Sequence, residues 1–148
     1  MKRGWYAKGK DVTVRFNYTR DKFHAFGALG NNELYCQFYE RTNQYAFIDF
    51  IESLKGKHGK LLLFFDNARW HTGQKVQEYL LKMKDDIKAV LFPSYSPELN
   101  PIEIEWREIR KALGNKFFID TEEMIDYMHS VVPTDAVPLI KLFDYLTP

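Results

Sequence analysis

A chain of 148 residues with 45% hydrophobic, 28% charged and 16% aromatic residues has the size and apolar content of one globular domain, which excludes disorder over most of its length. Cys36 is its lone cysteine, so an intrachain disulfide and a cysteine-based zinc site are excluded and a reducing interior is the expected setting. Net charge is +1 and no apolar run approaches the roughly 20 residues that span a bilayer, so the chain reads as soluble and cytoplasmic with no membrane partner, while its charge neither demands nor excludes nucleic acid.

The opening residues Lys2, Arg3, Lys8 and Lys10 surround Trp5 and Tyr6, a basic-aromatic arm suited to DNA or simply to solvent. Val12 to Phe16 alternates as a strand does. Lys22 to Leu29 sets Phe23, Ala25, Gly27 and Leu29 on one side, Asn31-Asn32 signals a turn, and Leu34 to Tyr39 completes a predicted antiparallel meander. From Asn43 the period changes: Phe47, Phe50, Ile51 and Leu54 form the stripe of a helix ending near Gly56 or Gly59. Leu61 to Phe65 is continuously apolar, as expected of a strand covered on both faces. Thr72 is the expected cap of a second helix striped by Val76, Tyr79, Leu80 and Met83, and Ile87 to Phe92 is the next strand. Pro93, Pro97 and Pro101 punctuate an extended loop; Ile102, Trp106, Ile109 and Leu113 then line a third helix. A fourth is expected with Thr121 as cap and Met124, Tyr127, Met128 and Val131 as stripe. The tail from Pro133, with Leu139, Ile140, Leu142 and Phe143, is expected to pack as a short segment. Antiparallel strands followed by alternating strand and helix predict an α/β domain, a mixed sheet with helices on its faces.

Asp66 follows a buried apolar strand, where open α/β sheets place their ligands. Asp-Asn is equally ordinary turn chemistry. Glu103 has its own local explanation, with Asn100 as N-cap, Pro101 as first helical residue and Glu103 reaching back from N3, or pairing with Arg107 one turn on. Together, a strand end and a helix start can aim two carboxylates into one cleft, and magnesium binds through such groups. His71 could contact a phosphate, orient water, cap or pack. Arg107, Arg110 and Lys111 follow Glu103 on the helix and suit phosphates or solvent equally. His24, His58 and His129 form no ligand pair, and Ser94 and Ser96 lack the His and acid spacing of a serine hydrolase.

Two blocks carry a family resemblance. Leu63-Phe64-Phe65-Asp66-Asn67-Ala68-Arg69-Trp70-His71, and Phe92-Pro93-Ser94-Tyr95-Ser96-Pro97-Glu98-Leu99-Asn100-Pro101-Ile102-Glu103 with Trp106, resemble the DDE transposases of the mariner superfamily and their prokaryotic insertion-sequence relatives. Looser similarity runs through Arg3-Gly4-Trp5, Gly9 and Phe26 to Leu29. The resemblance implies that Asp66 and Glu103, with 36 residues between them, are the second and third metal-binding acids. Asn67, His71 and Asn100 are then supporting residues and Arg107, Arg110 and Lys111 candidate DNA contacts. Mg2+ or Mn2+ is the implied cofactor, and DNA at transposon ends and target sites the implied partner. The implied fold is ribonuclease H-like, a five-stranded mixed sheet with helices on both faces.

In that family the first catalytic Asp lies on the first, central strand, upstream of the segment matching Gly4-Trp5. Asp11 and Asp21 both fall after that position. The expectation is a single catalytic-core domain over residues 1–148, N-terminally incomplete, lacking its first central strand, one acid and the helix-turn-helix that reads transposon ends. A homodimer or an upstream transposase polypeptide is expected to cover the sheet edges so exposed. A catalytically inactive remnant that binds DNA or self-associates is the alternative.

Overall fold

The computed structural model of the chain describes residues 22–30, 33–94, 96, 99–114 and 116–132. The basic-aromatic opening, the predicted strand 12–16, Asp11 and Asp21, the Asn31-Asn32 turn and the tail from Pro133 lie outside the described residues. In chain order the elements are β1 (His24–Gly30), β2 (Glu33–Tyr39), α1 (Gln44–His58), β3 (Leu61–Phe65), α2 (Arg69–Thr72), α3 (Gln74–Lys82), β4 (Ile87–Leu91), α4 (Ile102–Leu113) and α5 (Thr121–Val131).

Strands β1 and β2 pair antiparallel, with Phe26 opposite Gln37 and Gly27 opposite Cys36. Because side chains alternate across a strand, the pair has two apolar faces. Phe26, Ala28, Tyr35 and Tyr39 pack with α1. Phe23, Leu29, Leu34 and Phe38 pack with Ile102 and Ile109 of α4 and Met128 of α5. Helices therefore cover both faces, as predicted, although the deepest β1 side chain is Phe26 rather than one on the Phe23 and Leu29 side.

Strands β3 and β4 pair in parallel, Leu61 with Ile87 through Phe65 with Leu91, and the Phe92 N–H extends the ladder to the Phe65 carbonyl at 2.9 Å. Leu61, Leu63 and Phe65 pack into the core, but Leu62 and Phe64 are 60% and 55% exposed. This corrects the expectation of cover on both faces. Five consecutive apolar residues carry no period, and α4 and α5 pack on β1 and β2 instead. The pairings are mixed in direction, yet among the described residues they form two two-stranded pieces rather than one continuous ladder.

Helix α1 joins the two pieces. Its predicted stripe, Phe47, Phe50, Ile51 and Leu54, is buried throughout in a cluster with Phe26 of β1, Val76 of α3 and Ile87 of β4. The Asn43 side chain caps it by accepting the Ala46 N–H at 2.9 Å, and Gly59 ends it at φ 76°. The next helix departs from expectation: Gly73 splits it into α2 and α3, and Thr72 donates its hydroxyl back to the Ala68 carbonyl rather than capping. Gln44 of α1 takes over, its Oε1 accepting the Lys75 N–H at 2.9 Å. At α5 the cap is Asp120, which accepts the Glu123 N–H at 2.8 Å, one residue before the predicted Thr121. Among the described residues no helix is long and apolar enough to cross a membrane.

On one face of β1 the helix α4 comes very close. A Cβ built on Gly27 would lie 2.6 Å from Trp106 Cζ2 and 2.9 Å from Ile102 Cδ1, so only glycine lets α4 lie so close to the strand. Gly27→Ala is expected to destabilise the fold by about 1–3 kcal/mol through overpacking. Gly56→Ala, in α1 with open space around it, should stabilise by about 0.5–1 kcal/mol. Urea denaturation of the two variants beside the parent checks the contrast.

Candidate active site

The end of β3, the loop after β4 and the start of α4 converge on one cavity of about 420 Å³, lined by Asp66, Asn67, Phe92, Pro93, Ser94, Ser96, Asn100 and Glu103. Parallel pairing explains the first half of this geometry. It brings the carboxyl ends of β3 and β4 out on the same side, and the Asn67 Nδ2 ties them by donating to the Phe92 carbonyl at 2.9 Å. Packing of α4 on β1 supplies the second half, because Ile102, buried against Gly27 and Leu34, precedes Glu103 directly. Four of the residues singled out from sequence, Asp66, Asn67, Asn100 and Glu103, thus share one wall.

The two acids are held differently. Asp66 Oδ1 accepts the Ala68 N–H at 3.1 Å, the turn bond its local sequence suggests, and also meets His71 Nδ1 at 2.6 Å. Oδ2 has no partner among the described residues. Glu103, in contrast, does not cap its helix. The N-cap is Pro101 with no side-chain bond; the Glu103 N–H is taken by the Asn100 carbonyl at 3.1 Å. Its carboxylate pairs instead with Arg110 at 3.5 Å, two turns on, rather than with Arg107. Side chains of 48% and 68% exposure make this a weak, water-screened contact, so the carboxylate stays accessible from the cavity.

His71 lies behind Asp66, not in the cavity lining. Its ring sits 4.1 Å from that of Phe47, with Phe26, Phe65 and Trp70 around it. Burial holds the imidazole below its ordinary range, against the opposing pull of Asp66. At neutral pH the contact is therefore a hydrogen bond from a neutral ring, not an ion pair. Its Nε2 is buried with no partner among the described residues. The pairing of His71 with Asp66 escaped sequence reasoning; their five-residue separation across a strand end and a helical turn was its one signal.

Of the three basic candidates, Arg110 is engaged with Glu103 and Lys111 with Glu108 at 2.6 Å. Arg107 is exposed and has no partner among the described residues. None of the three lines the cavity. Burial pushes the Cys36 thiol up to about 11, so it stays protonated at neutral pH and is not a ready nucleophile.

Carboxylates, side-chain amides and serine hydroxyls offer only hard oxygen and amide donors, the set that suits Mg2+ or Mn2+ rather than zinc. Among the described residues no group of three or more His, Cys, Asp or Glu side chains could hold a metal ion. The donor set fits such an ion in kind, and the cavity contributes two acids toward it. Loss of the strand-end tether in Asn67→Ala is expected to lower stability by about 1 kcal/mol or less, read as a shift of the urea midpoint at unchanged slope.

Comparison with known proteins matches these features to others. A family model described as DDE superfamily endonuclease matches residues 1–125. A stretch of 73 residues is 37% identical to the uncharacterized protein y4pE/y4sA of Sinorhizobium fredii, covering 49% of this chain and 49% of that protein. The chain thus spans about half the length of that curated relative. Among solved structures, one chain of the Mos1 transposase paired-end complex with left transposon end superposes with a TM-score of 0.66 at 20% identity, over 88% of this chain and 42% of that one. At that identity the likeness is one of fold, and it agrees with a ribonuclease H-like core.

Proposed function

Because this chain belongs to the DDE superfamily endonucleases, we propose that it is a transposase catalytic core, cleaving and transferring DNA strands at transposon ends with a divalent metal. The single observation that carries the reading is the convergence of Asp66 and Glu103 on one cavity, from elements 36 residues apart. In this reading both carboxylates are metal ligands, with Asn67 and Asn100 supporting the cavity wall. Mg2+ or Mn2+, when bound, supplies activation of the attacking oxygen and stabilisation of the leaving oxygen. The chain's own part is to hold that charge: two acids at fixed positions, one on a strand end and one on a helix start, neither spent on capping the helix.

A third acid is needed. It comes from residues outside those described or from another polypeptide, an upstream transposase segment or a second copy of this chain. DNA at the transposon end and target is the substrate, a reading supported by the left transposon end in the paired-end complex of the Mos1 transposase. In this reading Arg107, Arg110 and Lys111, exposed on α4 and outside the cavity lining, contact its phosphates. One alternative stands beside this reading, a remnant that binds DNA or self-associates without cleaving it.

The test is cleavage of DNA carrying the element's ends, with Mg2+ or Mn2+, by the chain alone and with the upstream polypeptide. Asp66→Asn and Glu103→Gln are each expected to lower the rate on the order of 100-fold or more, since even the residues behind a metal ligand cost about 10–100-fold. Undiminished cleavage by both variants overturns the assignment. Salt-sensitive DNA binding without cleavage in either arm selects the remnant instead.

A further inference from the structure

We propose that His71 is a positioning residue for Asp66: its Nδ1–H holds the carboxylate through Oδ1, leaving Oδ2 as the oxygen offered to the cavity shared with Glu103. The inference rests on the reading of Asp66 as a metal ligand and adds the group that orients it.

Three observations carry it. The first is the division of labour between the two oxygens. Oδ1 receives both the His71 Nδ1 contact at 2.6 Å and the Ala68 N–H at 3.1 Å, while Oδ2 has no partner among the described residues. Two donors on one oxygen fix the carboxylate plane and leave the other oxygen's lone pairs for an incoming cation.

The second is the contrast in anchoring. The His71 side chain is 14% exposed and the Asp66 side chain 54%. The imidazole is wedged among the rings of Phe26, Phe47 and Phe65, with centroids 6.1, 4.1 and 5.8 Å away, so it moves little. Without it the half-exposed carboxylate would be held by the Ala68 N–H alone. A rigid core side chain gripping an exposed acid is the arrangement by which ligands are oriented from behind.

The third is that packing alone does not account for a histidine here. Its neighbours are aromatic, and its Nε2 is buried without a partner among the described residues, a cost an apolar side chain of similar size would avoid. Among the described residues the one polar contact the ring makes is with Asp66. Polar groups retained against local packing rules concentrate at functional sites.

Mn2+ binding to the full chain, followed by electron paramagnetic resonance, tests this without any need for turnover. The series is the unsubstituted protein, Asp66→Asn, His71→Leu and His71→Asn, the last placing an amide N–H near the position of Nδ1. His71→Leu is expected to weaken Mn2+ binding about 10-fold or more, and His71→Asn to stay within about threefold of the parent, with circular dichroism confirming that both fold. If Asp66→Asn abolishes binding and His71→Leu does not weaken it, the positioning role is wrong and the metal-ligand reading stands. Equal weakening by Leu and Asn overturns the role of the donor. If Asp66→Asn binds as the parent does, the metal-ligand reading falls and this inference with it; if the parent alone binds no Mn2+ for want of the third acid, the ring-proton spectrum that follows decides the His71 role. Should the leucine variant fail to fold, a long-range 1H–15N correlation spectrum of the unsubstituted protein decides. A proton on Nδ1 of His71 supports the role, and a proton on Nε2 with Nδ1 bare overturns it.

Discussion

The site depends on one short stretch of β1, where neighbouring residues reach to opposite faces and each packs beneath one of the elements that carry the acids. Phe26 points into the cluster with Phe47, Phe50 and Ile51, and its ring lies 6.1 Å from that of His71, which holds Asp66. Gly27, one residue on, lets Trp106 and Ile102 press onto the strand from the other side, and Ile102 precedes Glu103. The alternation of a single strand thus supports from its two faces the cluster beneath the end of β3 and the helix whose start carries Glu103. The two halves have no strand pairing between them among the described residues. Packing through α1 does the work that a continuous ladder would otherwise do.

Local structure and site chemistry are compatible at Asp66 because a carboxylate has two oxygens. The turn and the histidine occupy one, so satisfying the backbone does not consume the group. At Glu103 the same economy is reached differently. The helix start closes its first turn through backbone bonds to Asn100 and Pro101, and the acid in that turn is released from capping. Negative charge near a helix N-terminus is favourable in any case, so Glu103 gains there without a direct bond.

Much of the fold was legible because amphipathic periods are strong where one face is buried. The α1 stripe, the antiparallel pairing of β1 and β2 and the order of β3 and β4 all follow from spacing and end signals. What spacing could not reveal was decided by partners distant in sequence. The five apolar residues of β3 read as doubly covered, yet Leu62 and Phe64 face outward, since the helices that could cover them sit on the other strand pair. Thr72 read as a cap, but Gln44, far upstream, reaches the helix first. Glu103 read as a capping-box acid on local evidence, and only the three-dimensional path of α4 turns it to the cavity. Gly27 looked like one member of an alternating strand; its meaning lies in Trp106. His71 and Asp66 were each recognised, but the bond between them depends on the bend at Asp66 that no periodicity describes.

The central claim is that Asp66 and Glu103 serve one metal ion. Anomalous diffraction from crystals soaked in Mn2+ tests it most directly. The account predicts a peak inside the cavity between β3 and α4, with an oxygen from each carboxylate at about 2.1 Å, the distance typical of small hard divalent ions. A cavity without a peak while Mn2+ binds elsewhere, or a peak touching only one of the two acids, contradicts it.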